Sequence, residues 1–285
     1  MDLAQIRTFL AAAESGSFSS AAEIVHASAS SVTDRIAVLE ARLGAPLFHR
    51  SRKGCALTEA GERFLPRARS IEEIWQLGHA EAAIPARFSG IVRIGGQYAL
   101  WPQFLIPWIA RLQEREPQLS LQLTAGASAR LNRDLAGRGL DLAIVYSPVI
   151  GPGVESRPIL NDRLILVRPP ALPDWRESWV DIDWGKEMRD GIAASIGPVD
   201  SRGLVLDLGG MAVTWLIERQ CAGYVPERLA QSAIAEGRLV QVVDLPQFDF
   251  AAHAVWRSRS DVAILPLVES LLDFVAEQAD LPAPA

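Results

Sequence analysis

Phe18-Ser19-Ser20-Ala21-Ala22-Glu23-Ile24-Val25-His26-Ala27-Ser28-Ala29-Ser30-Ser31-Val32-Thr33-Asp34-Arg35-Ile36 decides how the N-terminal part of this chain folds. It reads as a short helix, a brief turn and a second helix whose apolar residues fall on one side. In the second helix Val32, Ile36, Leu39 and Leu43 recur at i, i+4, i+7 and i+11, a stripe expected to pack inward. Opposite it stand Ser30, Asp34, Ala37 and Ala41, with Thr33 on the flank. Small side chains there let a backbone come close to base edges, and hydroxyls serve either base type. Upstream, Leu3, Ile6, Phe9, Leu10 and Ala13 form an amphipathic helix that should stop at Gly16. Ser17 to Ser20 offer N-cap hydroxyls to the next helix. Periodicity alone fits a plain three-helix bundle as well as a helix-turn-helix entering a DNA groove.

The flanking sequence separates those readings. Leu43-Gly44 is a helix stop, and Ala45 to Thr58 reads as a β-hairpin wing turning near Gly54, anchored by Leu47, Phe48 and Leu57. Between residues 35 and 69, eight cations (Arg35, Arg42, Arg50, Arg52, Lys53, Arg63, Arg67, Arg69) face three acids (Glu40, Glu59, Glu62). That leaves a local charge of +5 on a chain whose net charge is −6. A basic strip confined to one module fits phosphate contacts there, and the net charge excludes a general polyanion binder. An ordinary solvated charge run is the bland alternative.

Phe18-Ser19-x-Ala21-Ala22-Glu23, His26-x-Ser28, Val32-x-x-x-Ile36-x-x-Leu39-Glu40-x-x-Leu43-Gly44-x-x-Leu47-Phe48-x-Arg50 and Leu57-Thr58-x-Ala60-Gly61 together resemble the DNA-binding domain of the LysR-type transcriptional regulators. The resemblance runs without a gap through roughly residues 1 to 65. It implies an α/β chain with a winged helix-turn-helix over 1–58, a linker and dimerisation helix with a hinge over 59–89, and an effector-binding domain over 90–285. That last domain is expected to be two-lobed and periplasmic-binding-protein-like, one lobe from 90–162 plus 258–285 and the other from 163–257. The candidate DNA contacts are Ser28, Ser30, Ser31, Thr33, Asp34, Arg35, Arg50, Arg52 and Lys53. Two positions depart from the family pattern, which has glutamine where this chain has Ala29 and a basic or neutral residue where it has Asp34. Glutamine pairs bidentately with adenine, whereas alanine offers a methyl contact to thymine and aspartate accepts from a cytosine amino group. An altered or relaxed base preference is therefore expected.

Thr58 can N-cap the following helix, with Glu59 and Glu62 in its first turns, where the helix dipole favours acids. Phe64, Ala68, Ile71, Trp75, Gly78 and Ala82 then make a heptad-like seam. A helix over 58–83 would span about 39 Å at ~1.5 Å per residue. Pro66 is a flaw in it, since an interior proline costs about 3 kcal/mol. The resemblance implies that a second subunit covers the seam; packing on the chain's own effector domain is the alternative. A dimer would set two recognition helices on half-sites roughly 34 Å apart, or multiples of that. Ile84 to Gly90 should break the helix.

Beyond the break, β-rich runs at 91–94, 119–123 and 140–145 alternate with helical stretches at 99–116 and 129–138, the order of a parallel sheet with crossover helices. Runs at 164–167, 224–225, 239–243 and 253–256 are expected to form a second, smaller sheet, with helices near 208–219, 227–236 and 265–279. Ligands of open α/β sheets bind at the carboxyl ends of the strands. The candidate effector contacts are accordingly Gln97, Tyr98, Trp101, Ser128 and Tyr146, closed over by Trp184, Ser195 and Tyr224. Each has a structural alternative, a tight turn for the Gly95-Gly96 segment or a place in the core for the aromatics.

Rival chemistries find little support. No dinucleotide glycine spacing or phosphate loop occurs, and His26, His49, His79 and His253 are scattered without cysteine pairs, so no metal and no cofactor are expected. Cys55 and Cys221 are too few for a disulfide framework. Ala193-Ala194-Ser195-Ile196-Gly197, followed by Asp207 or Asp244 and then His253, is a near miss to a hydrolase nucleophile elbow lacking its first glycine. A solute-binding receptor would share the two-lobed domain, but Asp2, Arg7, Glu14 and Glu23 interrupt any signal-peptide core, and no membrane-length apolar run exists. The expectation is a cytoplasmic regulator, not an enzyme, that binds double-stranded DNA as a homodimer or homotetramer and answers to a small-molecule effector. Contact with RNA polymerase is implied by the resemblance.

Overall fold

A computed structural model of the chain describes residues 2–51, 54–82, 85–199, 203–259 and 263–279. The chain divides into two units, Met1–Ala83 and Ile84–Ala285.

The first unit holds α1 (Leu3–Ser15), α2 (Phe18–Ile24), α3 (Ala29–Leu43), the antiparallel strands β1 (Phe48–Ser51) and β2 (Gly54–Leu57), and α4 (Glu59–Ala82). Local chemistry sets each boundary. Asp2 and Gln5 close a capping box on α1, and Gly16 ends it at φ 65°. Ser17 and Ser28 N-cap α2 and α3. Ile6, Phe9, Val32, Ile36, Leu39 and Leu47 are essentially inaccessible and form the core, with Phe9 ring-to-ring on Phe48 and Phe64 at 5.4 and 5.2 Å. Leu43 departs from the expected stripe: it lies in the last turn of α3 and is 41% exposed. The wing is tied to α1 by the Cys55 amide, which donates to the Gly16 carbonyl at 2.7 Å. A Cβ at Gly54 would sit 2.4 Å from that same oxygen, so only glycine fits this crossing.

The seam on α4 behaves differently along its length. Phe64, Ala68 and Ile71 join the core of their own unit, and Arg7 on α1 holds Glu72 at 3.0 Å. Burial of the first half within the unit corrects the expectation of a seam left wholly for a partner. Ile74 and Trp75, one turn on, are 53% and 51% exposed. Pro66 stays inside the helix, and the Ser70 hydroxyl donates to its carbonyl at 3.1 Å.

The second unit runs β3 (Gly90–Gln97), α5 (Ile106–Arg115), β4 (Leu119–Gly126), α6 (Ser128–Ala136), β5 (Leu142–Val145), β6 (Val154–Arg168), β7 (Asp181–Ile182), α7 (Lys186–Ile196), β8 (Val205–Leu206), α8 (Ala212–Arg219), β9 (Gly223–Pro226), α9 (Glu227–Ala235), β10 (Val240–Gln241), β11 (Phe248–Arg257) and α10 (Leu265–Ala279). β3 lies parallel to both β4 and β5. β6 pairs with β11 from Val154 to Leu164, and its end from Leu164 to Arg168 takes β9 and β10, so one seven-stranded sheet results among the described residues. No separate smaller sheet forms from the later runs, because β6 and β11 pass through both lobes and join them. A small parallel pair, β7 with β8, stands apart in the second lobe.

Two helical boundaries depart from expectation. The stretch from Ala99 is not one helix: after a turn at Tyr98–Leu100, Pro102 is extended (ψ 139°) and Gln103 is left-handed (φ 62°). Pro102 has no amide hydrogen to continue the helix, whereas Pro107 sits harmlessly in the first turn of α5. α7 was not expected at all. Only Ile192 on it is fully buried, and with the half-buried Met188 and Ile196 it makes a stripe of just three residues.

Candidate functional site

Two surfaces carry the candidate residues, one on each unit. On α3 the stripe Val32, Ile36 and Leu39 is fully buried, while Ala29, Ser30, Asp34, Ala37 and Ala41 on the other side are exposed. Several of the expected contacts are already engaged. Ser28 accepts from the Ser31 amide at 3.2 Å and shares its hydroxyl with Ser30 and Ser31 at 2.9 and 2.8 Å. The Thr33 hydroxyl donates back to the Ala29 carbonyl at 3.0 Å. Arg35 turns toward α1, where its guanidinium reaches the Thr8 hydroxyl at 3.4 Å. Among the described members of the set, Asp34 is exposed, and Ser30 is exposed with its hydroxyl on that of Ser28. Arg50 falls in β1 opposite Cys55, but its side chain, like Arg52 and Lys53, lies outside the described residues. Glu40 fixes the root of this wing by accepting from the Leu47 and Phe48 amides at 2.7 and 3.3 Å.

In the second unit a cavity of about 330 Å³ opens between the lobes. Its wall draws on the strand ends after β3, β4 and β5 in one lobe and on the start of α7 in the other. Gln97, Ser128, Tyr146 and Trp184 line it. The Gln97 side-chain oxygen, Oε1, accepts from the Ala99 amide at 2.6 Å, which fixes the turn that follows β3. Trp184 donates to the Tyr224 carbonyl at 2.8 Å. Tyr146 stacks on Phe250 with ring centroids 3.8 Å apart, and its hydroxyl donates to Asp162 at 3.0 Å.

The other four expected residues are not among those lining the cavity. Tyr98 packs against Gly209, whose φ of 51° and lack of space for a Cβ (2.3 Å from that of Tyr98) admit only glycine. The Trp101 indole donates to the Gly96 carbonyl at 2.9 Å. Tyr224 lines a second cavity, of about 230 Å³, within the second lobe, and its hydroxyl donates to the Pro246 carbonyl at 2.9 Å. Ser195 sits in the last turn of α7 with its hydroxyl donating to the Gly191 carbonyl at 2.9 Å. A nucleophile elbow needs a strand-to-helix turn, so the hydrolase reading loses its central feature.

Sequence reasoning missed Asn132, Asp183, Lys186, Glu187, Asp207 and Phe250 in the cavity wall. Asn132 braces the rim, donating to the Ser128 and Ser147 carbonyls at 2.8 Å each and accepting from the Val149 amide at 3.1 Å. Asp183 and Asp207 each follow the paired residues Ile182 and Leu206, which puts two carboxylates side by side. Asp183 is held by Arg189 at 2.7 Å. Asp207 has its pKa raised, first by burial and then by the charge of Asp183. The only available hint was the i+4 spacing of Ser128 and Asn132; strands of two residues leave no periodicity to read.

Behind the cavity wall, Asp162 in the middle of β6 is 4% exposed and meets Arg228 of α9 at 3.2 Å. Arg228 also donates to the Ala99 and Pro102 carbonyls at 2.9 and 3.0 Å, joining the second lobe to the turn after β3 in the first.

Residues 3–62 match the model of the bacterial regulatory helix-turn-helix protein, lysR family, and residues 85–280 match that of the LysR substrate binding domain. The chain belongs to the LysR family. Within it, the HTH-type transcriptional regulator HdfR of Yersinia enterocolitica is 28% identical over 297 residues, covering 98% of this chain and 99% of that protein. Among solved structures, CbnR, a LysR family transcriptional regulator, aligns with a TM-score of 0.67 at 19% identity over 99% of this chain and 100% of its own. Full-length LysG of Corynebacterium glutamicum, with bound effector Arg, aligns with a TM-score of 0.54 at 21% identity over 97% and 99%. At those identities the two structures speak to the fold alone. This LysR-family chain is a DNA-binding transcription regulator with an effector-binding C-terminal domain.

Two phenols of that domain, Tyr146 and Tyr224, are buried. Burial pushes the Tyr224 hydroxyl from 10.0 up to about 12. Burial, reinforced by the Asp162 charge, raises Tyr146 as well. A raised folded-state pKa means stability that is fully present below the unfolded value and lost as pH rises through the folded one. Unfolding midpoints in urea, followed by tryptophan fluorescence, should therefore fall as pH climbs from 10 to about 12. Tyr224→Phe should lower neutral-pH stability by about 1 kcal/mol, the usual worth of a lost hydrogen bond. The same change should shallow the alkaline decline; an unchanged decline would show that this phenol does not govern it.

Proposed function

We propose that this regulator binds duplex DNA as a dimer or tetramer through α3 and the wing, and that a small effector occupying the interlobe cavity biases its state. The observation that carries the DNA reading is the two-sidedness of α3. One side is locked into the core by Val32, Ile36 and Leu39; the other presents Ala29, Ser30, Asp34 and Ala37 with nothing packed on them. In this reading Ser28, Ser31 and Thr33 hold the N-terminus of the helix in shape, and Ser30 and Asp34 meet base edges. Arg50, Arg52 and Lys53 hold phosphates from the wing, which positions the helix without specifying sequence. Ala29 and Asp34 give a base preference different from that of a glutamine-bearing relative.

The exposed Ile74 and Trp75 supply the apolar surface for a second subunit's linker helix. For the cavity, Gln97, Ser128, Tyr146 and Trp184 are the effector contacts this reading favours, joined by Asp183, Glu187 and Asp207. Those three carboxylates outnumber Lys186 in the wall, which disfavours a dianionic effector. LysG, a chain of similar fold, carries a bound effector Arg, which supports a small-molecule role for this cavity. A cytoplasmic location, contact with RNA polymerase on bound DNA, and the absence of catalytic turnover complete the reading on the ground of family membership.

Titration of the full-length protein onto its own promoter across a salt series tests the DNA assignment. Binding should weaken steeply with salt, and Arg50→Ala should flatten the slope of log K against log salt by about one. Absence of binding at low salt and micromolar protein would refute the assignment, and an unaltered slope would remove Arg50 from it. Sedimentation equilibrium of the native protein and Trp75→Asp addresses assembly. The native chain should be dimeric or larger and the variant should dissociate at least tenfold more readily, the equivalent of about 1.4 kcal/mol. A monomeric native chain, or equal association of the two, would contradict the linker-helix interface.

A further inference from the structure

Tyr146 belongs to the cavity wall, yet its hydroxyl faces away from the aromatic stack into a buried polar junction. There it donates to Asp162 at 3.0 Å, and Arg228 approaches the same carboxylate at 3.2 Å and the phenol oxygen at 3.4 Å. The same Arg228 nitrogen, Nη2, also donates to the Ala99 carbonyl, and Nη1 donates to the Pro102 carbonyl. Those two carbonyls bracket the break ahead of α5. In that break Gln103 is held at φ 62°, a region a residue with a side chain seldom occupies without external support. From the other lobe, the Gly209-Gly210 turn closes on Tyr98, Ala99 and Pro102. α5 follows directly, with Ile106 59% exposed on its first turn and Arg111 paired with Glu277 of α10. The junction is continuous: cavity wall, phenol, carboxylate, guanidinium, strained turn, surface helix.

We infer that Tyr146, Asp162 and Arg228 form a relay through which occupancy of the interlobe cavity sets the order of the 99–105 segment and the start of α5. A ligand that tilts the Tyr146 ring, or accepts the phenol proton in place of Asp162, changes what Asp162 offers Arg228. A guanidinium has a fixed fork of donors, so a shift toward Asp162 is a shift away from the Ala99 and Pro102 carbonyls. The left-handed Gln103 loses part of what holds it, and the segment before α5 relaxes. Cavity and surface helix are thereby linked by one element with two arrangements, the physical requirement for coupling between sites. Arg228 and Asp162 act here as positioning residues and need not touch the effector.

This relay rests on the cavity being the effector site, but its test needs no effector, so its failure would leave that assignment standing. Hydrogen exchange by mass spectrometry is measured on the full-length protein as native chain, Tyr146→Phe, Arg228→Lys and Trp184→Phe. Tyr146→Phe keeps the ring and deletes only the link to Asp162. It should raise exchange across residues 99–109 by about tenfold or more, as Arg228→Lys does, since such amides exchange through local opening. Trp184→Phe deletes a different cavity-wall hydrogen bond, the one to the Tyr224 carbonyl, and should leave 99–109 unchanged. The inference is overturned if Tyr146→Phe leaves that segment at native rates, even where Arg228→Lys loosens it, because Arg228 would then be a clasp without connection to the cavity. It is equally overturned if Trp184→Phe loosens the segment as much as Tyr146→Phe, since general destabilisation would then account for both.

Discussion

The carboxylate of Asp162 is the charge around which the effector-binding unit closes. It sits in the middle of β6, where the strand leaves one lobe and enters the other, and it is 4% exposed. A buried carboxylate is tolerated when it is paired and hydrogen-bonded, and costs several kcal/mol when it is not. Here Tyr146 comes from the first lobe and Arg228 from the second, so satisfying one charge requires both lobes to be in place. Just beyond it, Leu164 to Val167 are wholly buried and pair with β9, while β11 holds the strand as far as Leu164. The strand cannot slide to expose Asp162 without turning those side chains to the wrong face.

From that constraint the cavity follows. β6 and β11 traverse both lobes as a single antiparallel pair, so the lobes share a sheet and the space between them is bounded by strand ends on one side and by α7 on the other. The phenol that satisfies Asp162 belongs to the residue stacked on Phe250 in the cavity wall. Structural satisfaction and ligand sensing thus converge on one side chain. In the DNA-binding unit the comparable constraint is the crossing of the wing over the end of α1, where the Gly16 carbonyl takes the Cys55 amide and Gly54 leaves room for it.

What could be read from the sequence was local. The α3 stripe as far as Leu39 and the caps at Ser17, Gly16 and Gly44 depend on neighbours a few residues away, and the structure places them accordingly. The wing and the hydrophobic strands β3, β4 and β5 share that property. β6 was read as four residues because Val154 to Arg163 mixes Pro158 with alternating polar side chains, which is how a strand looks when it is only partly covered. α7 has a stripe of only three residues, Met188, Ile192 and Ile196, with Gly191 in its middle, so the signal for a helix there is weak. Of the cavity wall, Gln97, Ser128 and Tyr146 are legible from strand ends and Trp184 from the facing lobe. Asp183 and Asp207 were not, since their pairing is set by tertiary contact. Arg228 was not either, since its partners at Ala99, Pro102 and Asp162 lie far away in the chain.

Asp162 and Arg228 satisfy one another across the lobes. A double-mutant cycle with Asp162→Asn, Arg228→Met and the pair, read as unfolding free energy of the effector-binding unit in urea, isolates that interaction. Each single change strands a buried polar partner, so the double variant should be more stable than the sum of the singles implies, by about 2–4 kcal/mol. Additivity within about 0.5 kcal/mol would mean that the two groups do not depend on each other, and the closure described above would have no anchor.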